Sequence, residues 1–247
     1  MRVTLSNESD ALVFRDSRFS HRGEGWVTRL EGWYGALGID TDLQRMPGRS
    51  GCYAPGLYTS DVRTVTLGIA WRCRSDIETA GLLDRLDRMT SGVMTLTVED
   101  PHGRRHASCH LSDQIEPSFA PNGAAAWTDI ILTCPDPLKY GDPVPFRVSG
   151  GRVRVENRGN MGTLPVVRVE RAAGLSFLSV TDGEGHEVAW EGDGSATSLD
   201  LDFNSLNPGV GRVAVDDAFT VAPGVSDLYV SADNGATAVV LVRPAWR

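Results

Sequence analysis

The stretch that decides the fold is Arg63-Thr64-Val65-Thr66-Leu67-Gly68-Ile69-Ala70-Trp71-Arg72-Cys73-Arg74. Apolar side chains hold the odd positions Val65, Leu67, Ile69, Trp71 and Cys73, while Thr64, Thr66, Arg72 and Arg74 hold even ones. A period of two sends the two sets to opposite sides of an extended chain, so the segment predicts a long, half-buried strand. The period then changes. Ser75-Asp76-Ile77-Glu78 forms a capping box, a serine N-cap with a glutamate three residues on. Leu82, Leu83, Leu86 and Met89 follow on one helical face, and Ser91-Gly92 closes the element with glycine as a natural C-terminal cap. This spacing predicts one long helix, from Ser75 to about Thr90, packing its leucine face on the Val65 to Trp71 strand. Alternation returns with Met94, Leu96 and Val98 against Thr95, Thr97 and Glu99. Asp100-Pro101-His102-Gly103 is a turn sequence with proline second, so Arg104 to Leu111 should return as a hairpin against Val93 to Glu99.

Farther out, Ile130, Leu132 and Cys134 alternate less cleanly with Asp129, Ile131 and Thr133. Prolines at Asp142-Pro143-Val144-Pro145 and the Gly150-Gly151 pair suit a boundary, which divides the chain into 1–150 and 151–247. The second part reads as short strands: Val153 to Glu156, Pro165 to Glu170, Leu175 to Val180, Glu187 to Trp190, Ser198 to Phe203, Gly211 to Val215, Asp227 to Ser231 and Ala236 to Val242. Strands at intervals of about 10 residues, with turns such as Asn234-Gly235, predict an antiparallel β-sandwich. The fold class is mainly β (α+β): a β-sheet domain with one helix, then a sandwich.

Composition narrows the function classes. The chain has 247 residues, 41% hydrophobic and 23% charged, enough for a packed core. Lys plus Arg is 24 and Asp plus Glu is 32, a net charge of −8. The halves carry 16 basic against 19 acidic groups and 8 against 13. Neither is a basic module, which disfavours sequence-specific nucleic-acid binding. No run of 18 apolar residues suggests a membrane span. After Met1-Arg2 the chain alternates through Val3, Leu5 and Asn7, without the apolar core of a secretory leader. The gaps between Cys52, Cys73, Cys109 and Cys134 match no zinc or redox spacing. They read as reduced thiols of a protein made in the cytosol, with Cys73 and Cys134 on the apolar phase of their strands.

The search for chemistry assigns no catalytic, cofactor-binding or metal-binding residue. His102, His106, Cys109 and His110 come closest to a metal cluster. On a strand, however, Ala107, Cys109 and Leu111 face the core while Arg104, His106, Ser108 and His110 face out, so thiol and imidazoles diverge. Asp182-Gly183-Glu184-Gly185-His186 and Glu191-Gly192-Asp193-Gly194 have the oxygen-rich look of calcium loops. The twelfth position from Asp182 is Asp193, not glutamate, and no glycine stands sixth, so both read as hairpin turns. No nucleophile elbow, P-loop or dinucleotide fingerprint is present. Trp26, Trp33, Trp71, Trp127, Trp190 and Trp246 read as structural, with Trp190 and Trp246 the ones available for stacking on a sugar in the second domain.

The ordered set of segments resembles the distal tail proteins of long-tailed siphophages, the Dit or phage tail family. Four stretches carry the likeness. The first runs from Gly25-Trp26-Val27 through Met46-Pro47-Gly48-Arg49-Ser50-Gly51 into the Arg63 to Gly68 strand. The second is the helix from Ser75 followed by Gly92-Val93-Met94-Thr95-Leu96. The third is Ile130 to Cys134 with Pro135-Asp136-Pro137-Leu138-Lys139-Tyr140-Gly141. The fourth is Val155-Glu156-Asn157-Arg158-Gly159 leading to Leu164-Pro165-Val166-Val167. Leu201-Asp202 and Pro223-Gly224-Val225-Ser226 also fit, although the family usually shows asparagine after that glycine.

The resemblance implies an N-terminal domain that forms a ring, usually a hexamer, with a galectin-like sandwich outside it. Such a ring is a structural part of the virion at the tail tip, assembled in the host cytoplasm. It joins the tail tube protein to the tail-associated hub protein, with tape-measure and receptor-binding proteins as further contacts. It implies no enzyme activity and no cofactor. The competing reading is a sugar-binding adhesin module, which needs an exposed tryptophan in the second domain; a wall-degrading hydrolase would need a carboxylate pair in a cleft.

Overall fold

The computed structural model describes residues 1–16, 25–40, 45–53, 59–170 and 174–247. Parts of the first resemblance stretch, at 41–44 and 54–58, lie outside them. The chain divides into two compact units, Met1–Lys139 with Arg247, and Tyr140–Trp246. Strands dominate both, and the fold is mainly β.

The first unit contains β1 (Arg2–Ser6), β2 (Ala11–Asp16), β3 (Gly25–Glu31), β4 (Ile39–Asp40), β5 (Thr59–Ser60), β6 (Arg63–Arg72), α1 (Asp76–Thr90), β7 (Met94–Asp100), β8 (Gly103–Leu111), β9 (Ser118–Phe119) and β10 (Ala125–Cys134). The unit boundary falls within β11 (Lys139–Tyr140). Neighbouring strands run β8-β7-β1-β2-β3-β6-β10, and β10 pairs back onto β8, closing a seven-strand barrel. The pairings are antiparallel except β2 with β3. Closure explains the alternation that opened the sequence: Val65, Leu67, Ile69 and Trp71 line the interior with Val3, Leu5, Phe14, Leu96, Ile130 and Leu132. Gly25 is required here, because a Cβ would lie 2.5 Å from the Phe14 ring and 2.9 Å from the Trp71 indole.

The helix forms where the spacing placed it. Ser75 Oγ accepts the Glu78 amide at 3.2 Å, but Glu78 Oε2 accepts from the Arg74 amide at 2.7 Å, one residue before the usual box partner. The expected glycine cap is replaced: Ser91 ends the helix in a right-handed conformation, and the Thr90 and Ser91 hydroxyls donate to Asp87 O and Arg88 O. Those hydroxyls add donors in the last turn, where backbone donors run out. Leu86 and Met89 are buried in the barrel core, with Leu82 and Leu83 partly buried beside them. The first turn touches the entry to β10, since a Cβ on Gly123 would meet Asp76 at 2.8 Å. Near the last turn Arg85 Nε donates to Asp10 Oδ2 at 2.6 Å in the β1–β2 turn. The helix therefore crosses one mouth of the barrel, packing on the core as a whole rather than on β6 alone. Among the described residues it is the one α-helix.

The second unit holds β12 (Val144–Arg147), β13 (Arg152–Asn157), β14 (Val166–Val169), β15 (Phe177–Thr181), β16 (Glu187–Glu191), β17 (Leu199–Asp202), β18 (Arg212–Asp216), β19 (Gly224–Ala232), β20 (Ala238–Val242) and β21 (Ala245–Trp246). Two antiparallel sheets, β12-β20-β14-β17 and β13-β19-β15-β16-β18, share one apolar core. All eight strands expected from spacing are present. The division lies eleven residues earlier than 150/151, because Val144 to Arg147 pairs with β20, Val144 opposite Val242. Gly150 and Gly151 are the turn between β12 and β13, both with positive φ. Prolines suited a boundary equally well as an edge strand, and β12 is an edge.

Candidate functional site

The resemblance stretches meet inside each unit. Arg63, at the start of β6, is 1% exposed. Its Nε donates to Pro137 O at 2.9 Å and its Nη1 to Gly32 O at 2.7 Å and Trp33 O at 3.3 Å. Lys139, the chain's one lysine, is also buried and donates to the same Trp33 carbonyl at 2.9 Å. Two cations thus tie the loop after β3 and the Asp136 to Lys139 segment to the barrel end opposite α1. Burial pulls the Lys139 ammonium down to about 8, and the nearby Arg63 and Arg105 charges add to the effect.

In the second unit, Asn157 is 1% exposed, and its Nδ2 donates to Met161 O and Val221 O at 2.8 and 3.0 Å. Its Oδ1 accepts the Gly159 amide at 2.9 Å. A Cβ on Gly159 would collide with the Ala245 backbone. The Asn157-Arg158-Gly159 motif is therefore a folding device, not a ligand site.

The barrel's outer surface is unusual across β3, β6 and β10. Trp26, Ala70 and Trp127 stand in register in one row, with Ser118 of the edge strand β9 next to Trp127. Trp127 is 48% exposed and Phe119 51%. Beside the row lies an open groove of about 530 Å³ lined by Thr28, Glu116, Trp127 and Asp129, among others. Gly68 forms part of the same face, where Thr28, Arg29 and Asp129 lean over it so closely that a Cβ would lie within 2.7 Å of each. Arg29 pairs with Asp129 at 3.4 Å. The groove's lining has carboxylates and an indole but neither imidazole nor thiol.

The other sequence candidates fall as follows. On β8, Ala107 and Cys109 are buried while Ser108 and His110 are exposed, so thiol and imidazole diverge as expected. Asp182, Glu184 and His186 bring potential ligand atoms within 4.8 Å of one another. Asp182 Oδ1, however, accepts the amides of Glu184, Gly185 and His186, and Oδ2 pairs with His186 Nδ1 at 2.7 Å. The Asp182 pairing raises the imidazole's pKa. This is the turn of the β15–β16 hairpin. The Glu191 to Gly194 stretch is not a hairpin turn but the link from β16 in one sheet to β17 in the other. Trp190 is fully buried and donates to Val210 O at 2.7 Å, so it has no free face for a sugar. No described helix is long and apolar enough to cross a membrane.

Neither the protein-family models nor the curated proteins contain a match to this chain. Solved structures do match. The Dit protein (gp 19.1) of phage SPP1, described as a paradigm of the hub adsorption apparatus in phages infecting Gram-positive hosts, aligns with a TM-score of 0.66 at 14% identity. A chain of the phage p2 baseplate in its activated conformation aligns with a TM-score of 0.60, at 8% identity in the strontium form and 9% in the calcium form. In all three cases 98% of each chain is covered. The fold is that of phage Dit and baseplate proteins over the whole length.

Proposed function

We propose that this chain is a structural hub protein of a phage tail tip. Copies close into a ring, a hexamer, through the barrel unit, and the second unit is a galectin-like sandwich. The observation that carries this reading is the end-to-end likeness to Dit and baseplate chains, which spans both units in one order. A ring needs a heterologous contact repeated about an axis. The outer face that carries Trp127, 48% exposed and paired with the edge strand β9, offers one side of such a contact. A net charge of −8 suits a channel through which DNA slides without sticking.

In this reading the ring joins the tail tube protein to the tail-associated hub, with tape-measure and receptor-binding proteins nearby. It works by shape, without catalysis or cofactor, in virions assembled in the host cytoplasm. The adhesin reading loses support because Trp190 lies in the core. Immunogold labelling of particles carrying this chain tests the placement. Gold at the tail's distal end is expected; gold on the head, or none on intact particles whose protein is confirmed by mass spectrometry, contradicts it.

A further inference from the structure

The barrel's closing seam holds two thiols that face each other. β10 and β8 pair through Leu132 with Leu111 and Thr133 with His110. One step farther, the register sets Cys134 opposite Cys109, and both are buried against the same core. Ser112 N donates to Ile131 O at 2.9 Å, which makes that pair a hydrogen-bonded one. Alternation along an antiparallel ladder then makes Cys109 and Cys134 a non-hydrogen-bonded pair, where Cα atoms approach to about 4.5 Å and side chains lie closest. That separation lies inside the range a disulfide spans. The two sulfurs lie close enough for each thiol to shift the other's ionisation.

We infer that Cys109 and Cys134 are a built dithiol site, which a low-molecular-weight disulfide oxidises to a covalent lock across the barrel's closing seam. The pair is reduced when the protein is made and closes when it passes into an oxidising medium. Cys134 is the attacking sulfur. The neighbouring Cys109 thiol and the Arg63 charge beside it favour its thiolate, whereas the neighbouring Cys134 sulfur and burial hold Cys109 protonated. Cys134 thiolate attacks one sulfur of the small disulfide, forming a mixed disulfide and expelling one small thiolate. Cys109 then loses its proton, attacks the Cys134 sulfur and expels the second. The protein gives up two electrons and two protons, and the small disulfide becomes two thiols. Access follows from the seam itself, which is shorter than the ten-residue β6–β10 ladder beside it and opens more readily.

Both cysteines lie between Arg105 and Lys139, with no other arginine or lysine between these two. They therefore share one tryptic peptide, residues 106–139. The test incubates the full chain with oxidised glutathione, unfolds it with an alkylating agent and maps the peptides. Expected is a 106–139 peptide that carries no alkyl group and is lighter by two hydrogens. The melting midpoint should rise on the order of 5 °C, reversibly with dithiothreitol. The same shift should appear in Cys52→Ser/Cys73→Ser and vanish in Cys134→Ser. Two alkyl groups on peptide 106–139 after oxidation, or a link to Cys52 or Cys73 instead, overturns the inference.

Discussion

The two units solve the same problem, covering an apolar core with strands, by different means. The sandwich closes by stacking one sheet on another, and its large buried side chains are almost all apolar: Val155, Leu178, Trp190, Leu201 and Val240. Its notable buried polar group, Asn157, is satisfied by two carbonyls and an amide. The barrel must bring distant strands together and plug both mouths. It uses a helix at one mouth, buried Arg63 and Lys139 on loop carbonyls at the other, and two thiols at the seam. Stacked sheets need little beyond alternation, whereas a closed barrel needs specific polar fastenings at its ends.

The sharpest way to break that comparison is to damage each core separately. Leu86→Ala should cost about 2–5 kcal/mol, lowering the barrel's calorimetric transition and leaving the sandwich's in place. Wild-type stability in this variant would mean the helix does not plug the barrel. Asn157→Ala leaves the Met161 and Val221 carbonyls without their donor inside the sandwich. A loss of about 1–3 kcal/mol is expected, read from denaturant midpoints of the sandwich transition.

Lys139 sharpens the contrast through pH. Its folded value of about 8 lies below the ordinary 10.5. The folded state therefore holds fewer protons between those values, and stability rises with pH there. Below pH 8 the buried charge costs stability, and the cost is relieved as pH climbs toward 10.5. Lys139→Met should remove a rise on the order of 3 kcal/mol from the barrel's stability profile. An unchanged slope between pH 8 and 10.5 would show that the ammonium is not the cause. The smallest effect expected is none: a chelator should leave both midpoints in place, because Asp182 is already engaged by its own turn. A fall of several degrees restored by calcium or zinc would make that turn a metal site.

Much of this was legible in the sequence, and the reasons are local. The β6 alternation, the capped helix and the eight sandwich strands depend on neighbours two to four residues away. β12 was not legible, because Pro143 and Pro145 imitate a linker, and only pairing with β20 shows that an edge strand tolerates them. The fastenings were hidden for a different reason. Arg63 meets Pro137 across 74 residues, and Cys109 meets Cys134 only because the barrel closes. Arg63 and Pro137 were both within resemblance stretches, but their contact needed coordinates. Tryptophan identity was equally silent: Trp190 and Trp127 look alike in sequence, yet one is core and the other stands on an outer row.

The central claim is that the barrel unit carries ring closure while the sandwich does not. Negative-stain class averages of the full chain, set beside the solution mass of residues 140–247, test it most directly. The account predicts closed rings with a central opening and sixfold symmetry for the full chain, and a folded monomer for 140–247. A full chain that stays monomeric at every concentration at which rings can be imaged, or a 140–247 fragment that assembles by itself, would contradict it.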